Sequence, residues 1–461
     1  MVKSIASEKL SSRMSKRNSK ACCNCFVKYC FNQVDSFQSP RKKPYKFIFL
    51  LIVTLVIIYV TQTSKTILNQ PPLSELRRYS RSPSNHLTTP FPVNELRHVA
   101  FLKVHKACSS TVLNIIYRFG FQRGLTFVLP RKGNYLGGRS SSRPIEKHRI
   151  LPPSLNKTYD MLCNHVIFNK TIFGHYLPRD TVYIAIVRDP YERFRSAYHY
   201  YRTVYRIGYL IHGPTGADHF EQFIANQDIY EPTNPYHSYT NNRMAVDFGF
   251  PTKYFKNSTK MLKYVQDLDL TFDLVMITER FDESMILLRR MLNWSFKDIL
   301  YIKLNALKNK PKNNINSTMM DKVKKFSELD YILYNYFYEK FDKRVKQQPS
   351  NFSDEVSVFT SIREQVATFC LTTTSNETYL WVADTKWSEA FTISYMDCKQ
   401  IKLGELKFLS ILVKEQKSRI SRVGVNRKFF DSISDIHFGK QFRYLPQHVK
   451  RKEQKREKRD A

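Results

Sequence analysis

Glycine is scarce in this chain, with 13 residues in 461 and none between Arg97 and Phe119. No G-x-x-x-x-G-K-[ST] phosphate loop occurs anywhere in it. That absence weighs against kinase and GTPase chemistry, which needs such a loop and a carboxylate to hold magnesium. Acidic residues are also few: 40 Asp and Glu stand against 74 Lys and Arg, a formal charge of +34. Such a field draws polyanions, anionic membrane surfaces and small anions. Much of it lies at the ends. The first 46 residues hold eleven Lys/Arg and two acids, and Lys450 to Arg459 is a solvated basic tail with no apolar period. The charge therefore fits tails plus an anionic small ligand better than a nucleic-acid platform. Internal repeats are absent, so the chain is not a solenoid. What is plentiful is apolar and aromatic material: 42% hydrophobic residues, with 33 Phe and 28 Tyr. That excludes disorder of the whole chain and suits one large α/β domain with appendages.

The most apolar run is Phe47 to Val60, within 18 uncharged residues bracketed by Lys46 and Lys65. At roughly 1.5 Å per residue this just reaches the thickness of a bilayer core. Charged and Pro-containing flanks argue against a buried helix. The 46 residues before it, and the lack of a small-residue cleavage site after it, argue against a removed signal peptide. Arg41, Lys42, Lys43 and Lys46 crowd the N-terminal side, which places the N-terminus in the cytosol and the body in a lumen. All the N-x-S/T sequons follow the run: Asn156, Asn169, Asn257, Asn293, Asn316, Asn351 and Asn376. Asn293, in an apolar stretch, is the expected exception to glycosylation. Cys22, Cys23, Cys25 and Cys30 precede the run, match no common zinc spacing and are candidates for palmitoylation. Cys108, Cys163, Cys370 and Cys398 follow it, where disulfides are permitted. Three pairings are open, with Cys370–Cys398 preferred because Cys108 lies in a loop of its own.

The expected organisation is a cytosolic basic tail at 1–46, a transmembrane signal-anchor at 47–64 and a Pro/Ser/Thr-rich lumenal stem at 65–96. A folded domain over 97–400 and a basic C-terminal extension over 401–461 follow. Residues 131–154 read as a Gly/Arg/Ser/Pro-rich loop. From about 160 to 340, apolar strands alternate with helical periods, the mark of an α/β domain with a parallel sheet. Residues 354–415, with Thr372 to Thr374 and two Trp, have no clear place.

Two segments carry chemistry. In the first, residues 98–104 read as a strand, and Val112, Leu113, Ile116 and Phe119 then fall at helical spacing. Lys106 to Thr111 therefore sit where a strand hands over to a helix N-terminus, whose unpaired N–H groups and dipole favour an anion. Lys106 adds a cation, and Ser109, Ser110 and Thr111 add hydroxyls. In the second, Val182 to Val187 is a continuous apolar run, as in a strand buried on both faces. Asp189 is a good N-cap and Pro190 a good first helical residue. Tyr191, Phe194, Ala197, Tyr198 and Tyr201 mark the inner stripe of that helix. Arg188 at the strand end and Ser196 on the helix can converge on one phosphate. A salt-bridged Arg188 with Ser196 as a surface filler is the alternative.

Together these segments resemble the sulfotransferase superfamily, the first its 5′-phosphosulfate loop and the second its R-x₇-S 3′-phosphate signature. More closely, the chain resembles the galactose-3-O-sulfotransferase (cerebroside sulfotransferase) family. The likeness is carried by Phe101 to Ile115, by Leu162-Cys163-Asn164-His165, by Phe281 to Leu288 and by Asp298 to Ala306, in order over about 97–345. Ala107 and Cys108 depart from it, standing where the family loop has Thr and Ala; one lost hydroxyl weakens donor grip by about 1 kcal/mol. The resemblance implies a P-loop-like sulfotransferase fold, a central parallel sheet flanked by helices, with one N-terminal transmembrane helix. It implies 3′-phosphoadenosine 5′-phosphosulfate (PAPS) as donor, no metal, and the 3-hydroxyl of a galactose-terminated glycolipid or glycan as acceptor. A glycosaminoglycan acceptor, or an inactive glycan-binding homologue, is the alternative. A Golgi membrane location, single-pass type II with a lumenal catalytic domain, follows from it.

Roles follow from charge and position. Lys106 faces the leaving phosphate, Ser109, Ser110 and Thr111 hold the 5′-phosphate, and Arg188 and Ser196 hold the 3′-phosphate. A sugar hydroxyl needs a base, and histidine suits. His105, beside Lys106, is the first candidate; His165, similar to the family's second site histidine, is the second. Lys103 is a candidate sulfonate or acceptor contact, or an ordinary strand-end lysine. Glu279, Asp282 and Glu283 read as caps of a helix starting near Phe281.

Overall fold

The computed structural model describes residues 94–137, 145–153, 157–303 and 315–422. The apolar run at 47–64, nearly all of the stem, the basic tail and the four N-terminal cysteines lie outside them. Among the described residues no helix is long and apolar enough to cross a membrane.

The centre is a four-stranded sheet in the order β2-β1-β3-β4, every pairing parallel. β1 is Val99–Leu102, β2 Met161–Leu162, β3 Val182–Val187 and β4 Leu274–Ile277. All of β1 and β4 and the last four residues of β3 are buried, as strands covered on both faces must be. β1 lies in register with β3 from Val99 against Val182 to Leu102 against Ala185. The strand read over 98–104 pairs only at 99–102, because Lys103 onward leaves the ladder to build the loop that follows. The chain runs from β1 to β2 on one side and returns to β3 on the other. Strand order therefore reverses between β1 and β3, and ligands of open α/β sheets bind at the carboxyl ends of such strands.

Helices α1 (Ser109–Arg123) and α2 (Pro190–Thr203) follow β1 and β3 directly. α1 buries Val112, Leu113, Ile115, Ile116 and Phe119. Phe119 stacks on Trp294 with ring centroids 3.7 Å apart. Each such side chain contributes about 1.5–3 kcal/mol by burial. That anchorage lets the start of α1 stay open although no side chain caps it. Gly120 permits close approach: a Cβ there would lie 2.3 Å from the Phe127 ring and 2.9 Å from the Met161 sulfur. α2 begins as its sequence dictates, with Asp189 Oδ1 accepting from the Glu192 N–H at 2.9 Å and Pro190 in the first turn. Phe194, Ala197, Tyr198 and Tyr201 are buried and Tyr191 half-buried.

Short helix α3 (Arg243–Asp247) precedes β4, and α4 (Phe281–Leu292) follows it. No acid caps α4; its N-cap is Arg280. Asp282 and Glu283 occupy the first turn, where the dipole favours them, and Glu283 pairs with Arg280 at 2.6 Å. Glu279 instead accepts from the Asp189 N–H at 3.1 Å.

The stretch without a clear place in the sequence is regular. It holds α5 (Phe352–Thr372), the antiparallel pair β5 (Tyr379–Val382) and β6 (Phe391–Ser394), α6 (Tyr395–Ile401) and α7 (Glu405–Arg422). A disulfide joins Cys370 of α5 to Cys398 of α6, the preferred pairing, while Cys108 and Cys163 are free thiols. α7 sinks Phe408, Leu409 and Leu412 into the main core, with Phe408 5.5 Å from Tyr117 and 6.0 Å from Phe121 of α1. The folded body thus continues beyond residue 400 through Arg422.

Candidate active site

The two sequence segments meet at the switch point. Arg188, just past β3, donates from one guanidinium nitrogen to the Lys106 carbonyl at 3.2 Å and from the other to Glu192 at 3.2 Å. Thr278, just past β4, bridges the same loops, its one hydroxyl proton shared between the carbonyls of Ala107 (3.2 Å) and Val187 (2.9 Å). The loop is wound tightly: Lys106 has φ 62° and Cys108 φ 55°, both left-handed. Non-glycine residues in that region carry strain, which persists where surroundings over-determine it and clusters at functional sites.

One face of α2 lines this loop. Glu192 touches Arg188, and the Tyr200 ring centroid lies 3.4 Å from Lys106 Nζ. Ser196 sits midway between them at i, i+4 spacing, which puts it on the same stripe. The Arg188 guanidinium and the Lys106 ammonium therefore flank the stripe of α2 on which Ser196 lies. Burial first, then the Arg188 charge, lowers the pKa of Lys106 to about 8.

The loop hydroxyls differ in what they offer. Ser109 is buried, and its Oγ donates to the Val104 carbonyl at 2.6 Å, so its one proton is engaged in closing the loop. Its contribution to an anion is the backbone N–H of the first helical turn. Ser110 is exposed and Thr111 half-buried at the open end of α1.

Behind the loop lies a buried polar cluster. His105 Nδ1 is 2.8 and 2.9 Å from the two carboxylate oxygens of Asp247, and the His105 backbone N–H donates to Asp247 at 2.8 Å. Arg243 Nε donates to the same carboxylate at 3.0 Å. A carboxylate accepts and cannot donate while ionised, so the His105 proton sits on Nδ1 and Nε2 is left as an acceptor. Nε2 is 3.4 Å from the Tyr135 hydroxyl. Burial, opposed by Asp247 and reinforced by Arg243 and Lys103, lowers the His105 pKa to about 4. Burial alone would raise Asp247, but Arg243 and then His105 outweigh it and hold the carboxyl below its ordinary range. His105 is thus a neutral base with a fixed tautomer.

His165 stacks on His105 with centroids 4.2 Å apart, and its Nε2 accepts from Lys103 Nζ at 2.9 Å. Burial and the Lys103 ammonium push its pKa well below the usual value, so it is neutral with the proton on Nδ1. Nε2 is occupied, which leaves His105 the histidine with a base-competent nitrogen. Lys103 is not an ordinary strand-end lysine: it is buried and also donates to Glu405 of α7 at 2.6 Å.

Sequence reading brought His105, His165, Lys103, Lys106, Arg188 and Ser196 to one region, and it missed Asp247, Arg243, Tyr135 and Glu405. A signal for α3 existed: Arg243 and Asp247 fall at i, i+4 around the apolar Met244-Ala245-Val246, a charge pair in buried company. Nothing local marks Tyr135 or Glu405.

The family described as Galactose-3-O-sulfotransferase matches residues 35–381. Human galactosylceramide sulfotransferase (Homo sapiens) is 28% identical over 279 residues, 60% of this chain and 64% of that protein. Galactose-3-O-sulfotransferase 2 of Mus musculus is 28% identical over 292 residues, 59% of this chain and 70% of that protein. Galactose-3-O-sulfotransferase 3 of Mus musculus is 31% identical over 254 residues, 54% of this chain and 57% of that protein. The match thus spans less than two thirds of the first and last of these relatives. The family's span of 35–381 takes in Lys106, Arg188, His105 and His165, and the chain belongs to the galactose-3-O-sulfotransferase family.

Proposed function

We propose that this protein transfers the sulfuryl group of PAPS to the 3-hydroxyl of galactose on a glycolipid or glycoprotein glycan. The observation that carries the reading is the contact of Arg188 with the Lys106 carbonyl, which supports taking the two segments as anion grips that adjoin at a topological switch point. The residues present fit the donor. A wound loop ends in the open N-terminus of the 15-residue α1, with a lysine and an arginine beside it. Lys106 and the first-turn N–H groups, with Ser110 and Thr111, would hold the 5′ end; Arg188 and Ser196 would hold the 3′-phosphate. When bound, PAPS supplies the sulfuryl group, and adenosine 3′,5′-bisphosphate is the leaving product.

The chain's own contribution is positioning and charge. Lys106 and the helix dipole offset negative charge at the 5′ side without reorganisation at the moment of reaction. His105 Nε2 accepts the proton of the acceptor hydroxyl, and Asp247 stabilises the resulting imidazolium through Nδ1–H. The Golgi location, the type II anchor at 47–64 and the lumenal body belong to the same reading and rest on the charge bracket and sequons of the sequence.

Radiolabelled PAPS offered with galactosylceramide, N-acetyllactosamine, heparan sulfate or a tyrosine peptide tests it. Label should pass to the galactosides with the wild-type chain and not with Lys106→Ala. A purified protein with no measurable affinity for adenosine 3′,5′-bisphosphate ends the enzyme reading; label on heparan alone reassigns the acceptor.

A further inference from the structure

Glu405 opens α7 outside the span matched by the family, and among the described residues it is the acid that reaches the first turn of α1. Its Oε2 accepts from Lys103 Nζ at 2.6 Å and, more weakly, from Ser110 Oγ at 3.4 Å; its Oε1 accepts from Asn134 Nδ2 at 2.8 Å. Three separate elements thus converge on one carboxylate: the end of β1, the loop after residue 130 and α1. Burial would raise Glu405, but the Lys103 charge, with the Lys103 and Asn134 hydrogen bonds, outweighs it, so the carboxylate stays ionised.

The placement of this acid is built. Asn114, in the second turn of α1, donates from Nδ2 to the carbonyls of Gln400 and Leu403 at 3.0 and 3.1 Å. Lys402 Nζ donates to the Cys370 carbonyl at 2.5 Å, beside the disulfide. The turn ahead of α7 is therefore clamped from two sides, and Phe408, Leu409 and Leu412 bury the helix behind it.

Lys103 is 2% exposed, and a buried ammonium needs an anion beside it. Glu405 supplies that anion. A charged Lys103 can only donate, so His165 Nε2 must accept and the His165 proton is confined to Nδ1. The same ammonium helps keep His105 neutral.

We propose that Glu405 is a positioning residue for sulfuryl transfer: it pairs with Lys103 and keeps its amine aimed at His165, so that the docked C-terminal helix completes the site. The inference rests on the functional reading above. The test compares Glu405→Gln, Lys103→Met and the double variant for kcat, for KM of the acceptor, and for affinity to adenosine 3′,5′-bisphosphate. It also measures urea unfolding of each without ligand. Outer residues that orient a site group typically cost roughly 10- to 100-fold when replaced. Glu405→Gln should lose kcat on that scale with unchanged bisphosphate affinity. The double variant should be no slower than Lys103→Met and more stable than the sum of the single losses, because it leaves no unpaired buried charge. A folded Glu405→Gln with wild-type kcat, or losses that multiply in the double variant, overturns the inference alone. A wild-type chain that transfers no sulfuryl group ends the functional reading and takes the inference with it.

Discussion

At the scale of single residues, the decisive detail is which nitrogen of His105 carries the proton. Asp247 fixes it on Nδ1 through contacts of 2.8 and 2.9 Å. In Asp247→Asn the amide can donate to Nδ1, which moves the ring proton to Nε2 and removes the base. A general base contributes roughly 10²- to 10⁴-fold. Asp247→Asn should therefore approach His105→Ala in kcat while acceptor KM changes little. Steady-state kinetics at saturating donor would show this, and an Asp247→Asn enzyme at full kcat would remove His105 from the mechanism. The pH profile follows from the same cluster. His105 is base-competent above its pKa of about 4, so the acid limb of kcat/KM should lie far below the 6.5 of an ordinary histidine. Lys106 sets the other side. Its pKa of about 8 means the free protein loses this cation as pH rises through 8, and an anion binds the charged form. Affinity for adenosine 3′,5′-bisphosphate should fall above pH 8, by up to about tenfold per unit. Calorimetric titration across pH 7 to 10 checks it: Lys106→Arg, always charged, should abolish the step, and a step that survives would assign it to another group.

At the scale of elements, β3 and α2 were legible because their signals are local. An unbroken apolar run, then Arg188, then the Asp189-Pro190 start specify a buried strand, a turn and a helix with no reference to the rest of the chain. The β1–α1 turn was legible for the same reason, except that Lys103 leaves the ladder early to meet partners the sequence does not announce. Those partners are far away along the chain: Asp247 is 142 residues from His105, and Glu405 is 302 from Lys103. No period or spacing encodes such contacts; they exist only once the sheet order and the docking of α7 are set. The C-terminal elements were illegible for a related reason: although Ser394 and Asp397 form a capping box at the start of α6, the placing of α5 to α7 and the β5–β6 pair depends on a covalent link and a shared core. The disulfide spans 28 residues and ties α5 to the turn that presents Glu405. Closing a loop of that length stabilises by about 3.5 kcal/mol in the chain-entropy account. Cys370→Ser with Cys398→Ser should lower unfolding free energy by that order in urea titration. An unchanged midpoint and slope would mean that α6 and α7 are held by packing alone.

At the scale of the whole molecule, the proposed function asks the surface to suit both a membrane anchor and an anionic donor. The excess of basic residues is shared between the two ends and the folded body, and within the site it takes the form of a few placed cations, Lys103, Lys106, Arg188 and Arg243. Its surface also bears on topology. Asn169, Asn257 and Asn316 are exposed helix N-caps whose side-chain oxygens accept from the N–H groups of Ile172, Lys260 and Met319. Capping uses the oxygen and not the amide nitrogen, the atom that carries an N-glycan. Asn376 is exposed as well. Asn293, expected to be shielded by its apolar neighbours, is exposed at the C-cap of α4, with φ 54°. The apolar neighbours turn inward, Leu292 and Trp294 being buried, while the left-handed cap turns the asparagine out. A body delivered to a lumen should therefore carry N-glycans, and Asn293 belongs among the acceptors rather than apart from them. The full chain, expressed in animal cells and treated with an endoglycosidase, should gain electrophoretic mobility, and Asn293→Gln should remove one step of that shift. A full-length chain with no shift at all would put the body on the cytosolic side, where a lumenal glycan acceptor is out of reach. The type II reading would then fail even if the isolated domain still bound adenosine 3′,5′-bisphosphate.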